Sequence, residues 1–523
     1  MIQKKIESGK TYLGIELGST RIKASLIDDT YAPIASGSFD WENSFEDGYW
    51  TYSLDSVHEG VKKCFKSLCE NVFTNYGAEL KNIGAIGVSA MMHGYLAFDK
   101  DDNLLVPFRT WRNTTTKDAA DKLTEAFNFN IPQRWSIAHL YQAILNDDPH
   151  VAEIAHITTL AGYIHYLLTG KHEVGIGDAS GIFPISGKDY DAEMLEKFSA
   201  LIQDKGYAWD IKDILPTVKN AGEKGSYLTE EGAAFLDLSG KLQSQIPVCP
   251  PEGDAGTGMV ATNSVSPKTG NVSAGTSVFA MLVLENQLKN LYPQIDMVTT
   301  PDGFPVAMVH CNNCCNELDA WVNIFGEFAS LMGYDTDKST LYEKLYRNAL
   351  TGESKGILAY NYLSGEHVTE IEHGRPMYFR LPESKISLAG FMKAQLYSSI
   401  ATLTMGMDIL FGKEKVSADK FLAHGGLFKV SGVAQQMLAN ALKTPVSVME
   451  TAGEGGAWGM ALLSAYMMNE SGKSLGDWLS SDVFANMKVS DLAPEENGVN
   501  EFEEYIKNYK NGLSVQKKSE EVQ

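Results

Sequence analysis

Residues 12–17 (YLGIEL) are largely apolar, and residues 21–28 (RIKASLID) alternate apolar and polar as a half-buried strand does. The short GST turn at 18–20 joins them, so the chain is expected to open on a strand–turn–strand unit. Val57, Val61, Cys64 and Leu68 recur at spacings of three and four, predicting a helix over 56–69 with one buried face. A strand is expected at 83–88 (IGAIGV), helical structure from 131 to 145, and a helix over 158–170 stopped by Gly170. The pattern then restarts: TGNVSAGTSVFAMLVLE (269–285) again reads strand, Gly-rich turn, strand. Helices follow around 319–333 and 388–411, then a Gly-rich loop at 423–432. Beyond it Val433, Met437, Leu438 and Ala441 form one helical stripe. Strands alternating with helices imply an α/β fold. Two similar openings imply a duplicated architecture of two lobes with a cleft between them, 1–257 and 258–523. The polar, aperiodic tail from about 513 is expected to fray.

Composition narrows the function. The 523 residues carry 44 Lys+Arg against 66 Asp+Glu, a formal charge of −22. Such a surface repels nucleic acid and anionic lipid, so neither is an expected partner. Phosphates of a nucleotide would need backbone amides, a metal ion or a few local cations. No apolar run reaches the ~20 residues of a membrane span, and the first residues lack a secretory pattern, so a cytoplasmic location is expected. The six cysteines read as reduced thiols. Three fall in HCNNCC (310–315), but no second CxxC or HxxxH completes a zinc set. That segment is expected to pack near the cleft rather than to hold metal.

The Gly18-Ser19-Thr20 turn offers clustered N–H groups and two hydroxyls, with Lys23 close by. It is either a phosphate cradle or an ordinary hairpin turn. The same choice applies to Gly275-Thr276-Ser277 and to the Gly425-Gly426 loop. Neither GxxxxGK[ST] nor a strand-GxGxxG-helix is present, which disfavours P-loop and Rossmann sites. Order along the chain carries more information. A hairpin bearing Glu16, a Gly-Asp-Ala-Gly loop (253–256), a second hairpin, a Gly-Gly loop and a closing GEGGAWG (453–459) follow one another.

This order resembles the actin-like (ribonuclease H-like) ATPase superfamily, and within it the FGGY carbohydrate kinases, over residues 11–470. GIELGSTRIKA resembles the first phosphate motif, usually written with aspartate where Glu16 stands. SAMMHG resembles the sugar-contacting Gly-Gln-Met-His-Gly of xylulokinase-like members, and PFRTWRNTTT their Trp-x-Asp-x-Arg segment. PPEGDAGTG resembles the catalytic aspartate loop, NVSAGTS the second phosphate motif, AHGGLFKVSGVAQQMLANALKTPV the adenosine motif and GEGGAWGMALLSAYM the closing helix.

The resemblance implies ATP and Mg²⁺ as cofactors and a small sugar as substrate, with a homodimer as a candidate assembly. Asp254 would be the catalytic base, with Glu16 and Asp254 toward Mg²⁺. Met92, His93, Trp111 and Trp135 would meet the sugar. Gly18, Ser19, Thr20, Lys23, Gly275, Thr276, Ser277, Gly425, Gly426, Gln435 and Gly455 would meet ATP. Two departures bear on specificity: Ala90-Met91 stands for Gly-Gln, and Arg112-Asn113-Thr114 for an acidic stretch. The leading expectation is a ketopentose kinase making D-xylulose 5-phosphate. L-ribulose or another sugar or polyol, including glycerol and gluconate, is the alternative. A non-catalytic actin-like ATP-binding scaffold is the reading from another class.

Overall fold

The computed structural model describes residues 1–449 and 455–522, in two compact units. The first comprises Met1–Ser266, Asp296–Val306 and Glu454–Asn486; the second comprises Pro267–Ile295, Ala307–Gly453 and Met487–Gln523. The boundary expected near residue 257 falls inside the helix Asp254–Ala261, and the chain stays in the first unit to Ser266.

In the first unit, Thr11–Leu17 and Arg21–Asp28 form an antiparallel hairpin, extended by Pro33–Asp40. Ala85–Ala90 joins the other edge of Thr11–Leu17 in parallel, Tyr12 opposite Ala85. The helix Leu54–Tyr76 starts at Ser53, whose side chain accepts from the Ser56 amide, and ends at left-handed Gly77. It buries Val57, Val61, Cys64, Phe65, Leu68 and Val72 against the sheet and runs about two turns beyond the stretch the spacing predicts.

The helix Gly455–Met467 packs on the strands Thr11–Leu17 and Ala85–Ala90. Contact is so close at Gly14 that an added Cβ would lie 2.1 Å from the Ala457 carbonyl oxygen. Both atoms belong to fixed backbone, so Gly14→Ala should cost about 1–3 kcal/mol, the scale of core overpacking. A lowered urea midpoint at unchanged m-value would show it; an unshifted midpoint would refute this contact.

The second unit repeats the arrangement. Thr269–Ala274 and Val278–Val283 form a hairpin, and Lys420–His424 lies parallel to its first strand, Thr269 opposite Lys420. The duplication read from two similar segments thus extends to a third strand in each unit, placed the same way. The helix Leu388–Asp408 is buried on nearly every face and forms the centre of this unit.

The tail departs from expectation. Glu496–Lys518 is one helix, not a frayed end. Phe502, Tyr505, Ile506 and Tyr509 bury at helical spacing, and Tyr360 donates to the Tyr509 carbonyl at 2.8 Å. Past residue 513, Gln516 is fully buried and Glu520 accepts from the amides of Glu372 and His373. Polar composition concealed a few anchoring contacts.

Candidate active site

The first Gly-Ser-Thr turn is fastened through its acceptors. Gly18 O accepts from the Trp41 indole at 2.7 Å, Ser19 O from the Tyr52 hydroxyl at 2.6 Å, and Thr20 O from the Trp41 amide. With these carbonyls engaged and the Gly18 N–H donated to Arg21 O, the N–H groups of Ser19 and Thr20 and the two hydroxyls are what the turn can offer an anion. Trp111, 40% exposed, donates its indole N–H to Ser19 Oγ at 3.2 Å, so this candidate sugar wall abuts the phosphate turn. The departure after it has a structural use: Asn113 clamps the backbone of Trp50, and Arg112 lies over the Trp50 ring at 3.9 Å.

Glu16 stands directly across the hairpin from Lys23. Burial pushes its carboxyl above the ordinary range and the charge of Asp254 adds to that, while Lys23 and the Ala457 amide oppose them. The start of the helix Gly455–Met467 meets this carboxylate: a Cβ on Gly456 would lie 2.3 Å from Glu16 Oε1 and 2.8 Å from Thr257 Oγ1. Gly455, at φ +71°, faces Glu16 and Lys23. Gly453 and Glu454 of the closing motif lie outside the described residues. A half-buried carboxylate beside a lysine and a Gly-hydroxyl turn fits a hard divalent cation.

Asp254 is the first residue of its helix, with Gly253 as N-cap. The Met92 amide donates to Asp254 Oδ1 at 3.1 Å, tying the Met-His segment to the carboxylate. The side chain remains exposed, yet desolvation by the protein around it raises its pKa, against the pull of the Met92 and Ala255 amides. A carboxylate that is reachable and more basic than usual suits proton abstraction.

His93 follows Met92 in a left-handed conformation, φ +71°, and Gly94 continues the turn at φ +95°. Its ring is buried, makes a long 3.5 Å contact from Nδ1 to the Gly181 carbonyl, and stacks on Trp135. Burial first, then Arg134, hold its pKa well below the usual value, so the imidazole is neutral. Trp135 is fully buried, and its indole N–H finds no acceptor among the described residues. It backs His93 rather than meeting the sugar directly, as the sequence leads one to expect. Arg134 pairs with Asp296, which also accepts from Asn130.

Two acids in this unit escaped the sequence reading. Asp178 is buried and accepts from Thr159 Oγ1, while Oδ1 has no hydrogen-bond partner among the described residues. Its carboxyl is raised to about 7, mainly by burial. Glu252 is buried too, accepts from the Gly177 and Gly253 amides, and is raised to about 8 by burial and then by Asp178. The signal was available: Gly177-Asp178-Ala179 repeats the Gly253-Asp254-Ala255 triplet.

Because the folded-state values lie above the ordinary carboxyl range, folding takes up protons at these sites. The stabilisation is therefore complete below the ordinary pKa of 4.5 and is lost as pH rises towards about 8. Glu252→Gln, which imitates the protonated acid, should flatten the fall of melting temperature between those limits. An unchanged pH slope would show that Glu252 is ionised when folded.

In the second unit the turn is fastened in the same way. Cys315 N donates to Gly275 O and Cys314 N to Thr276 O, at 3.1 and 3.0 Å. This is the work of the HCNNCC segment: its backbone braces the turn. The Asn312 and Asn313 amides meet Glu366, and Asn313 Oδ1 accepts from Leu363 and Ser364. Cys314 and Cys315 are buried, their sulfurs 3.5 Å apart. Thr276 is exposed like Thr20, while Ser277 is half-buried. Gly425, at φ +106°, packs so closely that a Cβ would lie 2.2 Å from Ala274 O, and Gly426 borders open space. The loop therefore sits at the end of the hairpin's first strand. Gln435 is corrected: it is buried, and its amide donates to Val446 O and Ser490 O, tying a helix to two strands. It is not placed to meet a nucleotide.

Two α/β units, each built on a Gly-hydroxyl hairpin with a third strand in parallel, have the actin-like fold. Sequence comparison specifies the class. The N-terminal domain of the "FGGY family of carbohydrate kinases" matches residues 11–261 and its C-terminal domain residues 270–468. The chain belongs to the FGGY family of carbohydrate kinases, which use ATP. It is 21% identical over 473 residues to the xylulose kinase of Haemophilus influenzae, covering 85% of this chain and 89% of that protein. Among solved structures, a ligand-bound xylulose kinase from Lactobacillus acidophilus aligns at TM-score 0.78 and 16% identity, over 98% of this chain and 99% of that one. Plasmodium falciparum glycerol kinase with ADP aligns at 0.76 and 12%, over 97% and 98%. At such identities the structural likeness speaks for the fold. Among the described residues, no helix is long and apolar enough to cross a membrane.

Proposed function

We propose that the chain transfers the γ-phosphate of ATP to a hydroxyl of a ketopentose, with D-xylulose giving D-xylulose 5-phosphate as the first candidate. The observation that carries this reading is the Met92 amide on Asp254 Oδ1, which joins the sugar-type segment to the candidate base in one unit. Asp254 takes the proton of the attacking hydroxyl. Neutral His93, backed by Trp135, orients hydroxyls of the sugar, and Trp111 covers a C–H face. Lys23 and the Gly18-Ser19-Thr20 turn hold phosphate oxygens, as Gly275, Thr276 and Ser277 do in the second unit, while Gly425 and Gly426 let backbone approach the nucleotide. Glu16 and Asp254 would hold Mg²⁺, which neutralises phosphate charge when bound.

Support for xylulose comes from the SAMMHG segment and from the xylulose kinase relatives. The absent Gly-Gln amide and the glycerol kinase neighbour keep L-ribulose and polyols as alternatives. An ADP-release assay across D-xylulose, L-ribulose, D-ribulose, glycerol and gluconate tests the assignment. D-xylulose should give the highest kcat/KM; a polyol or gluconate in first place overturns it.

A further inference from the structure

Away from the phosphate and sugar motifs, three side chains from separate segments of the first unit bring potential ligand atoms together. Asp102, His156 and His172 each place one such atom within 4.8 Å of the others. His156 Nε2 lies 3.7 Å from Asp102 Oδ1, and the two imidazole rings are 4.0 Å apart, centroid to centroid. Bonds of about 2.1 Å arranged tetrahedrally space their ligands about 3.4 Å apart, so small side-chain rotations close this set on one ion.

The surroundings hold each group in place. Phe98 stacks on His156 at 5.0 Å, and Tyr166 stacks on His172 at 4.2 Å. The Tyr166 hydroxyl donates to Asp102 Oδ2, the oxygen other than the one facing His156. Backbone fixes the rest. Phe98 pairs with His156 across a two-stranded sheet, Asp102 sits at φ +60° in a turn organised by Asp99, and His172 O accepts from Thr217 N. Two imidazoles, one carboxylate and a hydroxyl orienting that carboxylate form the donor set and outer shell of a zinc-type site with an open fourth position.

We propose that Asp102, His156 and His172 bind one Zn²⁺ per chain, clipping together the 99–103 turn, the strand His156–Thr158 and the segment after Gly170. The mixed nitrogen and oxygen donors separate it from the all-oxygen preference of Mg²⁺. The ion binds the folded form and stabilises it by mass action.

The test uses tag-free full-length protein, freed of metal and titrated with zinc chloride against a chromophoric chelator. Wild type should bind one high-affinity equivalent and melt at a higher temperature with zinc than without. His156→Ala and His172→Ala should each weaken binding at least ~100-fold, and Tyr166→Phe by about 10-fold, the scale of lost outer-shell support. Both histidine variants should keep wild-type kinase activity, which confirms folding. Cobalt substitution adds a direct signature, the intense visible bands of a low-coordinate ion, absent in His172→Ala. No zinc uptake by wild type, or equal uptake by both histidine variants, overturns the proposal.

Discussion

Asp254→Asn should lower kcat at least ~10²-fold, the usual contribution of a general base, while leaving nucleotide affinity within a few-fold of wild type. The substitution keeps the oxygen that accepts from the Met92 amide, so the local fold survives. What disappears is the lone pair that takes the proton. The pH profile supplies a second readout. Desolvation by the surrounding protein raises the Asp254 carboxyl above the ordinary aspartate value, and the base acts only when ionised. The acid limb of kcat/KM should accordingly lie above pH 3.8, activity falling as pH drops through it. Full activity of the asparagine variant would remove Asp254 from the chemistry.

Gly456→Ala should cost about 10²-fold in kcat/KM and raise the Mg²⁺ concentration needed for half-maximal rate. A Cβ there would lie 2.3 Å from Glu16 Oε1 and 2.8 Å from Thr257 Oγ1, so the carboxylate must move. Displacements near an ångström suffice for a loss of this size when reacting groups are aligned. Alanine is the better helix former, so the melting temperature should change little. Circular dichroism and an Mg²⁺ titration separate the two effects. Unchanged Mg²⁺ dependence would mean that Glu16 does not help hold the ion.

The hairpins were legible because their signal is local. Alternation in RIKASLID and the apolar YLGIEL mark strands whose observed limits, Thr11–Leu17 and Arg21–Asp28, agree to within a residue. The stop at Gly170 was equally local, since a left-handed cap at φ +71° suits glycine. Motif order then identified Asp254, Glu16 and the phosphate turns as candidates. Contacts over long sequence distances were not legible. Nothing near Gln435 announces that Val446 and Ser490 engage its amide, and nothing in LSVQKKSEEVQ shows that Gln516 is buried. HCNNCC was expected to pack rather than to hold metal, but nothing in its sequence shows that the amides of Cys314 and Cys315 brace the second turn. Asp178 and Glu252 were hidden for another reason: their raised pKa values come from burial, a property of the folded chain alone.

Phosphorus-31 NMR of the purified protein with ATP, Mg²⁺ and D-xylulose tests the phosphotransfer itself. The expected record is a new phosphomonoester resonance growing one-for-one with ADP, and little ADP when the sugar is left out. ADP and inorganic phosphate appearing at equal rates with and without sugar would contradict it, and would mark the chain as an ATP hydrolase.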